Sequence, residues 1–242
     1  MSNYQYSQGA ASQTADMSVD AGLRGFMLGI YNKMALGLVL SAVIAYVVGT
    51  VDPVTALVLG TPLRFVVMFG PIAILLVSSF AMKNPSPLAS GIIYWSVVSL
   101  LGAGLGALVL TYAAIPNGFT TIGKAFFVTA AAFGGLSLWG YTTKKDLSGF
   151  GTFLIMGLIG IIVASVVNMF MQSSMMEFII SVGGVLIFSG LIAFDTQRLK
   201  HTYYALGGDT RSMAVATNYG ALSLYLNFIN LFQFILSLMG RD

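Results

Sequence analysis

The chain has 242 residues, of which 57% are hydrophobic and 8% charged, and its mean hydropathy is +0.88. Soluble domains carry about a quarter charged residues, so a soluble fold is excluded and an integral membrane protein is indicated. The absence of cysteine excludes disulfides, thiol catalysis and cysteine-ligated metals, and the net charge of +3 comes from basic residues scattered at the ends of apolar runs, which argues topology and not nucleic-acid binding.

Residues 1–23 are polar and rich in Gln, Ser and Tyr, with no basic residue before Arg24. They lack the basic start of a secretory signal and are expected to form a disordered tail. Positions 24–242 are expected to form one membrane domain of seven helices, at about 25–51, 63–83, 87–114, 121–142, 148–172, 175–200 and 213–239. Each run is long enough to cross a hydrocarbon core about 30 Å thick at about 1.5 Å per residue.

Asp52-Pro53 should end the first span, in which Lys33 is expected to extend its charge toward the interface. Thr61-Pro62 and Ser86-Pro87 read as caps followed by proline, opening the second and third spans. Gly102, Gly104 and Gly106 lie inside the third; in an apolar helix Gly102 and Gly106 make a face for close packing, not a nucleotide loop. Ser174 followed three residues later by Glu177 reads as a capping box opening the sixth span. Met169, Met171, Met175 and Met176 lack a Cys or His neighbour, so they are expected to fill packing gaps and not to bind Cu(I). His201 is the only histidine, which removes any histidine-based metal site; an interfacial position is expected, with pH sensing as the alternative.

The sixth span carries the first functional suspect. Residues 178–194 contain no charge, and the carboxylate of Asp195 then stands at the end of that run, just inside the hydrocarbon boundary. Ionised groups there are costly and face a partner or a hydrated cavity. One reading is a helix-end ion pair with Arg198, three residues on along the same face; the other is a functional site. The seventh span is unusually polar. At 100° per residue, Asn218, Tyr219, Ser223, Asn227, Asn230 and Gln233 occupy about half of its circumference. Its amides should turn inward, to hydrogen-bond across helices or to line a hydrated path.

With seven spans, one side receives Arg24, Lys33, Lys83, Lys144, Lys145, Arg198, Lys200 and Arg211, and the other only Arg64, Lys124 and Arg241. The positive-inside rule then predicts a cytoplasmic N-terminus and an external C-terminus. Lys83 and Asp195 fall on the same side and are expected to meet as a latch.

The run Ala193-Phe194-Asp195-Thr196-Gln197 through Lys200-His201, the later stretch Ser223 to Phe232, and Lys144-Lys145-Asp146-Leu147-Ser148 between spans four and five resemble the transmembrane Bax-inhibitor-motif family of bacterial seven-helix proteins. The resemblance covers nearly the whole chain after the tail. It implies an all-α fold whose last helix is central and surrounded by the other six, and, as for some members, a pH-sensitive calcium leak. It also implies a pair of aspartates sharing a proton, with a basic residue as latch. Asp195 matches the first aspartate and Lys83 the latch, with Arg198 as the second basic candidate, whereas Asn227 stands where the second aspartate is expected. With one carboxylate, calcium binding by Asp195 and Asn227 should be weak. Ser223 and Asn230 are the expected polar lining.

The expected function is therefore an ion pathway in the bacterial inner membrane, with calcium as transported ion and no cofactor. The alternative is a non-transporting regulator that binds partners such as a membrane protease in stress response. An enzyme is the weakest reading, since no Cys nucleophile, no His base near a hydroxyl and no second carboxylate accompany Asp195. The expected partners are the lipid bilayer, calcium and a membrane protein; no nucleic acid is expected, and the expected state is monomeric.

Overall fold

Turn chemistry sets most of the helix boundaries. The computed structural model describes residues 21–82 and 84–240, so the expected tail up to position 20, the expected latch residue Lys83 and the C-terminal Arg241 lie outside the described residues. Among these, the chain forms eight helices and no strand: α1 Ala21–Thr50, α2 Asp52–Gly60, α3 Leu63–Ala81, α4 Pro87–Ala113, α5 Gly118–Thr142, α6 Ser148–Met171, α7 Ser174–Ala205 and α8 Thr210–Met239. Seven are long and apolar enough to cross a membrane. The additional helix, α2, fills the connection between the first two spans. Asp52-Pro53 does end α1, but it also opens a new helix, because proline in a first turn forfeits an N–H that has no helical partner anyway.

Ser86 caps α4 as the sequence predicts, its hydroxyl accepting from Ala89 N at 3.1 Å. The cap of α7 falls one residue earlier than expected. Ser173, not Ser174, accepts from Met176 N at 3.3 Å, which leaves Glu177 one position too far along for the reciprocal bond of a capping box. Glu177 instead accepts from Ser237 of α8 at 3.4 Å. The methionines at this end do not fill gaps either: Met169, Met171 and Met175 are exposed, since little of α6 is buried in the bundle.

Close packing of α1 on α4 rests on missing side chains. A Cβ at Gly102 would come within 2.8 Å of the Ser41 backbone, and one at Gly106 within 2.4 Å of Val48. The two helices thus approach as the glycine spacing in the sequence predicts.

Helix α8 is the most buried span, with 56% of its apolar window inside the protein, against 17% for α3 and 11% for α6. It packs on α1, α4, α5 and α7, whereas α3 contacts only α2 and α4, and α6 contacts only α7. The last helix therefore has four spanning neighbours, not the six that the resemblance implies; the two least buried spans join the bundle through α4 and α7. Helix α7 also runs past the expected end at 200 to Ala205. Gly207 and Gly208, at φ +56° and +85°, then take left-handed conformations open to glycine without strain, and turn the chain into an antiparallel α8.

Candidate functional site

The continuation of α7 changes the setting of Asp195. Ten residues separate it from the helix end, about 15 Å at the rise of an α-helix, so the carboxylate lies well within the bundle and not at a helix terminus. Its side chain is 7% exposed. Arg198, one turn on, places a guanidinium nitrogen 2.8 Å from Oδ1. From the antiparallel α8, the Ser223 hydroxyl donates to Oδ2 at 2.6 Å and the Asn227 amide donates to the same oxygen at 2.8 Å. Arg198 also donates to Ser223 Oγ at 3.3 Å, closing the cluster.

This geometry follows from two helical repeats. Ser223 and Asn227 are four residues apart and present one face of α8 to one carboxylate, while Asp195 and Arg198 are three apart on α7. Three different side chains donate to an acceptor-only group, which matches an ionised carboxylate. Arg198 is the exposed member of the three, with 51% of its side chain accessible, while Ser223 is partly buried and Asn227 buried. The Asp195–Arg198 pair is thus buried at one end and exposed at the other.

Asp195, Arg198, Ser223 and Asn227, four of the residues that the sequence singles out, therefore come together. Asn230 does not join them; its amide donates to the Leu226 carbonyl of its own helix at 2.8 Å. Lys83 is outside the described residues. Its neighbours in sequence line two cavities, Met82 one of about 390 Å³ with Tyr219, and Asn84 one of about 570 Å³ with Thr202 and Asp209. Next along the α7–α8 interface comes an apolar stretch, which precedes the Ser181–Ser237 hydrogen bond at 3.0 Å. Phe188 and Phe234 face each other at 5.9 Å between centroids, and Phe234 lies where a Cβ on Gly184 would stand.

The polar face of α8 is not one continuous lining. Asn227 serves α7, but Asn218 serves the opposite side: its amide donates to Ser90 Oγ at 2.7 Å and to the Pro87 carbonyl at 3.0 Å, both on α4. Its carbonyl accepts from Lys33 of α1. Lys33 also lies over the rings of Tyr94 and Trp95, at 5.3 and 5.9 Å. The expectation that Lys33 extends toward the interface is corrected, because an amide oxygen and two aromatic faces solvate its ammonium within the bundle. Gln233, last of the polar series, is exposed.

Two further residues of α7 were not singled out as site candidates by the sequence. Gln197 accepts from Leu147 N at 2.8 Å and donates to the Lys145 carbonyl at 2.7 Å, clamping the α5–α6 connection from both directions. Lys200 donates to the Tyr141 carbonyl at 2.7 Å. A signal for both was present, because five polar residues in six positions cannot all face one neighbour on a helix. In that connection Asp146 is held below the usual carboxylate range by hydrogen bonds from the Ser148 hydroxyl and backbone. Among the described residues no group of three or more His, Cys, Asp or Glu is placed to hold a metal ion. His201 is exposed on the last part of α7.

A family profile described as "Inhibitor of apoptosis-promoting Bax1" matches residues 23–242. A protein of Caulobacter vibrioides is 57% identical over 249 aligned positions, covering 99% of this chain and 98% of the relative. One from Rickettsia prowazekii is 37% identical, covering 98% of both chains. The inner membrane protein YbhL of Escherichia coli is 36% identical, covering 91% of this chain and 93% of its own. Nearly full coverage in both directions joins these proteins over the whole seven-span domain, and the chain belongs to the Bax-inhibitor family of membrane proteins.

Proposed function

We propose that this protein is an ion pathway of the bacterial inner membrane, a pH-sensitive calcium leak gated by Asp195. The observation that carries the reading is a carboxylate 7% exposed, held within the bundle by a guanidinium that is itself half exposed. A structural ion pair serves equally well at a helix end; a buried carboxylate ten residues inside α7, facing the most buried helix, carries a desolvation cost that function explains. Inner-membrane placement rests on the similarity to YbhL, and a cytoplasmic N-terminus on the distribution of basic residues.

In the closed arrangement Asp195 ties α7 to α8 through Ser223 and Asn227. Protonation converts the carboxylate from pure acceptor to donor, removes its attraction for Arg198 and releases that side chain to water. The α7–α8 seam then loosens at Phe188 and Phe234. A divalent ion entering the seam meets the Asp195 carboxylate and the oxygens of Ser223 and Asn227. One carboxylate makes this a weak calcium site, suited to passage and not to storage. Arg198 is the latch in this reading, with Lys83 as a second candidate tested by exchanging charges between Lys83 and Asp195.

The test is calcium entry into liposomes holding only the purified protein, measured across a pH series. Flux that Asp195→Ala abolishes supports the pathway. Absence of flux at every pH overturns it and leaves the non-transporting regulator as the reading to pursue.

A further inference from the structure

Helices α1 and α5 both pack on α8 but their backbones stay apart among the described residues, and side chains such as Tyr31 and Ser137 bridge the gap between them. Between them runs a cleft formed by two cavities, of about 720 and 310 Å³, that share Leu38, Phe126 and Phe228. The first is within the size range of ligand clefts, about 300–1,000 Å³. Its one charged side chain stands at one end, where Arg24 begins the α1 wall and Tyr141 ends the α5 wall, and the hydrogen-bonded hydroxyls of Tyr31 and Ser137 lie farther in. The rest, as far as Phe228, is almost wholly apolar.

Length and charge together define an occupant. From Arg24 to Leu38 is fourteen residues along α1, about 21 Å, which equals half of a bilayer of about 40–45 Å including headgroups. The larger cavity therefore runs from headgroup level to the midplane, the extent of one lipid in one leaflet. Arg24 is exposed and has no carboxylate partner among the described residues. Lys144 and Lys145 follow Tyr141 by three and four positions, so two more basic residues come just after the end of the α5 wall in the chain. Asp146, the nearby carboxylate, is engaged with the amide of Ser148 at 2.9 Å.

We propose that the α1–α5 cleft is a binding site for one anionic phospholipid, with its acyl chain against Phe126, Phe133 and Phe228 and its headgroup phosphate at Arg24. Basic residues at the mouth of an intramembrane cleft favour anionic over zwitterionic headgroups. The space is real at the level of single atoms: a Cβ on Gly134, in the cleft wall, meets nothing within 4 Å. The hydroxyl of Tyr31, on the α1 wall, bonds Ser137 of the α5 wall at 2.6 Å across the cleft, and Ser137 bonds Thr196 at 3.0 Å, so the lipid rests on side chains that connect to α7 beside Asp195.

The test uses the full-length protein, stripped of lipid in detergent and titrated with phosphatidylglycerol or phosphatidylcholine of matched chains, with bound lipid counted by native mass spectrometry. One phosphatidylglycerol should be retained preferentially. Arg24→Gln should lower that preference about fivefold. Gly134→Phe should fill the cleft and reduce retention at least tenfold, with unchanged melting in lipid-free detergent. If that variant fails to fold, Ala35→Phe, from an exposed position on the facing wall, obstructs the same stretch. Equal binding of the two lipids, or retention unchanged by a folded cleft-filling variant, overturns the proposal in favour of ordinary surrounding lipid. A dimer that the cleft-filling variant disperses, without change in bound lipid, overturns it in favour of a second copy of the chain.

Discussion

Helix α8 holds two buried asparagines in contrasting company. Asn218 and Asn227 are nine residues apart, which is about 180° around the helix and about 13–14 Å along it. Asn218 joins three helices at once, with Lys33 from α1 and with Ser90 and Pro87 from α4. Asn227 joins two, through a carboxylate that has a second and more exposed partner in Arg198. The first cluster contains a cation and only neutral acceptors, so lowering the pH leaves its charges as they are. The second contains a carboxylate, and one proton rearranges every bond in it. Equal burial of the same residue type thus serves fastening in one place and, in the proposed reading, switching in the other.

The largest expected effect separates the two clusters directly. Asp195→Asn retains the shape of the side chain and removes its charge. Calcium flux into proteoliposomes should fall to background and lose its pH dependence. Stability should drop by only about 1–2 kcal/mol, because the Arg198 freed by the change is already half exposed. Flux that persists with its pH response intact would reduce the Asp195 cluster to the same fastening role as Asn218.

Breaking the other cluster should do the reverse. Asn218→Leu leaves Lys33 and Ser90 without their shared partner, at a cost of about 1–2 kcal/mol in unfolding experiments in detergent. The pH midpoint of flux should not move. A shifted midpoint would show that the α1–α4 side is coupled to the gate, and the contrast drawn between the two asparagines would fail.

Asn227→Asp sharpens the comparison from the other side. The amide nitrogen is 2.8 Å from Asp195 Oδ2, so an aspartate there brings two carboxylates to hydrogen-bonding distance. Two such groups share a proton or recruit a cation, since ionising both at short range is unfavourable. Calcium affinity should rise about tenfold and its pH dependence should steepen, with much less gain when Asp195→Asn is also present. Calcium titrations of the four proteins check this. Lower stability with no gain in affinity would mean that Asn227, too, only fastens helices.

The sequence made the seven spans legible because continuous apolar runs of this length have no other stable setting. It brought Asp195 into view for the same reason, as a charge that an apolar run does not explain. Other features were hidden by particular residues. Asp52-Pro53 is read equally well as a stop or a start, so α2 was missed. The six polar positions of α8 fit half a circle and suggest one lining, yet a half-circle is wide enough to meet α4 at one edge and α7 at the other. Lys33 looked like an interfacial lysine because its partners, Asn218, Tyr94 and Trp95, come from distant segments. The cleft between α1 and α5 has no signature in the sequence, since it depends on how far apart the two backbones stand.

The smallest expected effect guards the comparison against a false pH signal. Asp209 caps α8 by accepting from Ser212 N at 2.9 Å. Hydrogen bonds from the Ser212 hydroxyl and backbone hold its carboxyl below the usual range. A value lower in the folded protein than in the unfolded chain means that the cap's contribution is complete above the unfolded value, about 4. It is then lost as the pH falls through the folded value. Fraying of the first turn of α8 should therefore appear only below about pH 4, as faster hydrogen exchange at Ser212 and Met213. Asp209→Asn keeps a capping oxygen but has no charge to lose, so it should remove this acid response while leaving the cap nearly intact. Any change of flux above about pH 4 should survive that substitution, since it belongs to another group. If Asp209→Asn abolishes the flux response there, the sensor lies in the α7–α8 turn, and the carboxylate beside Asn227 is not the switch.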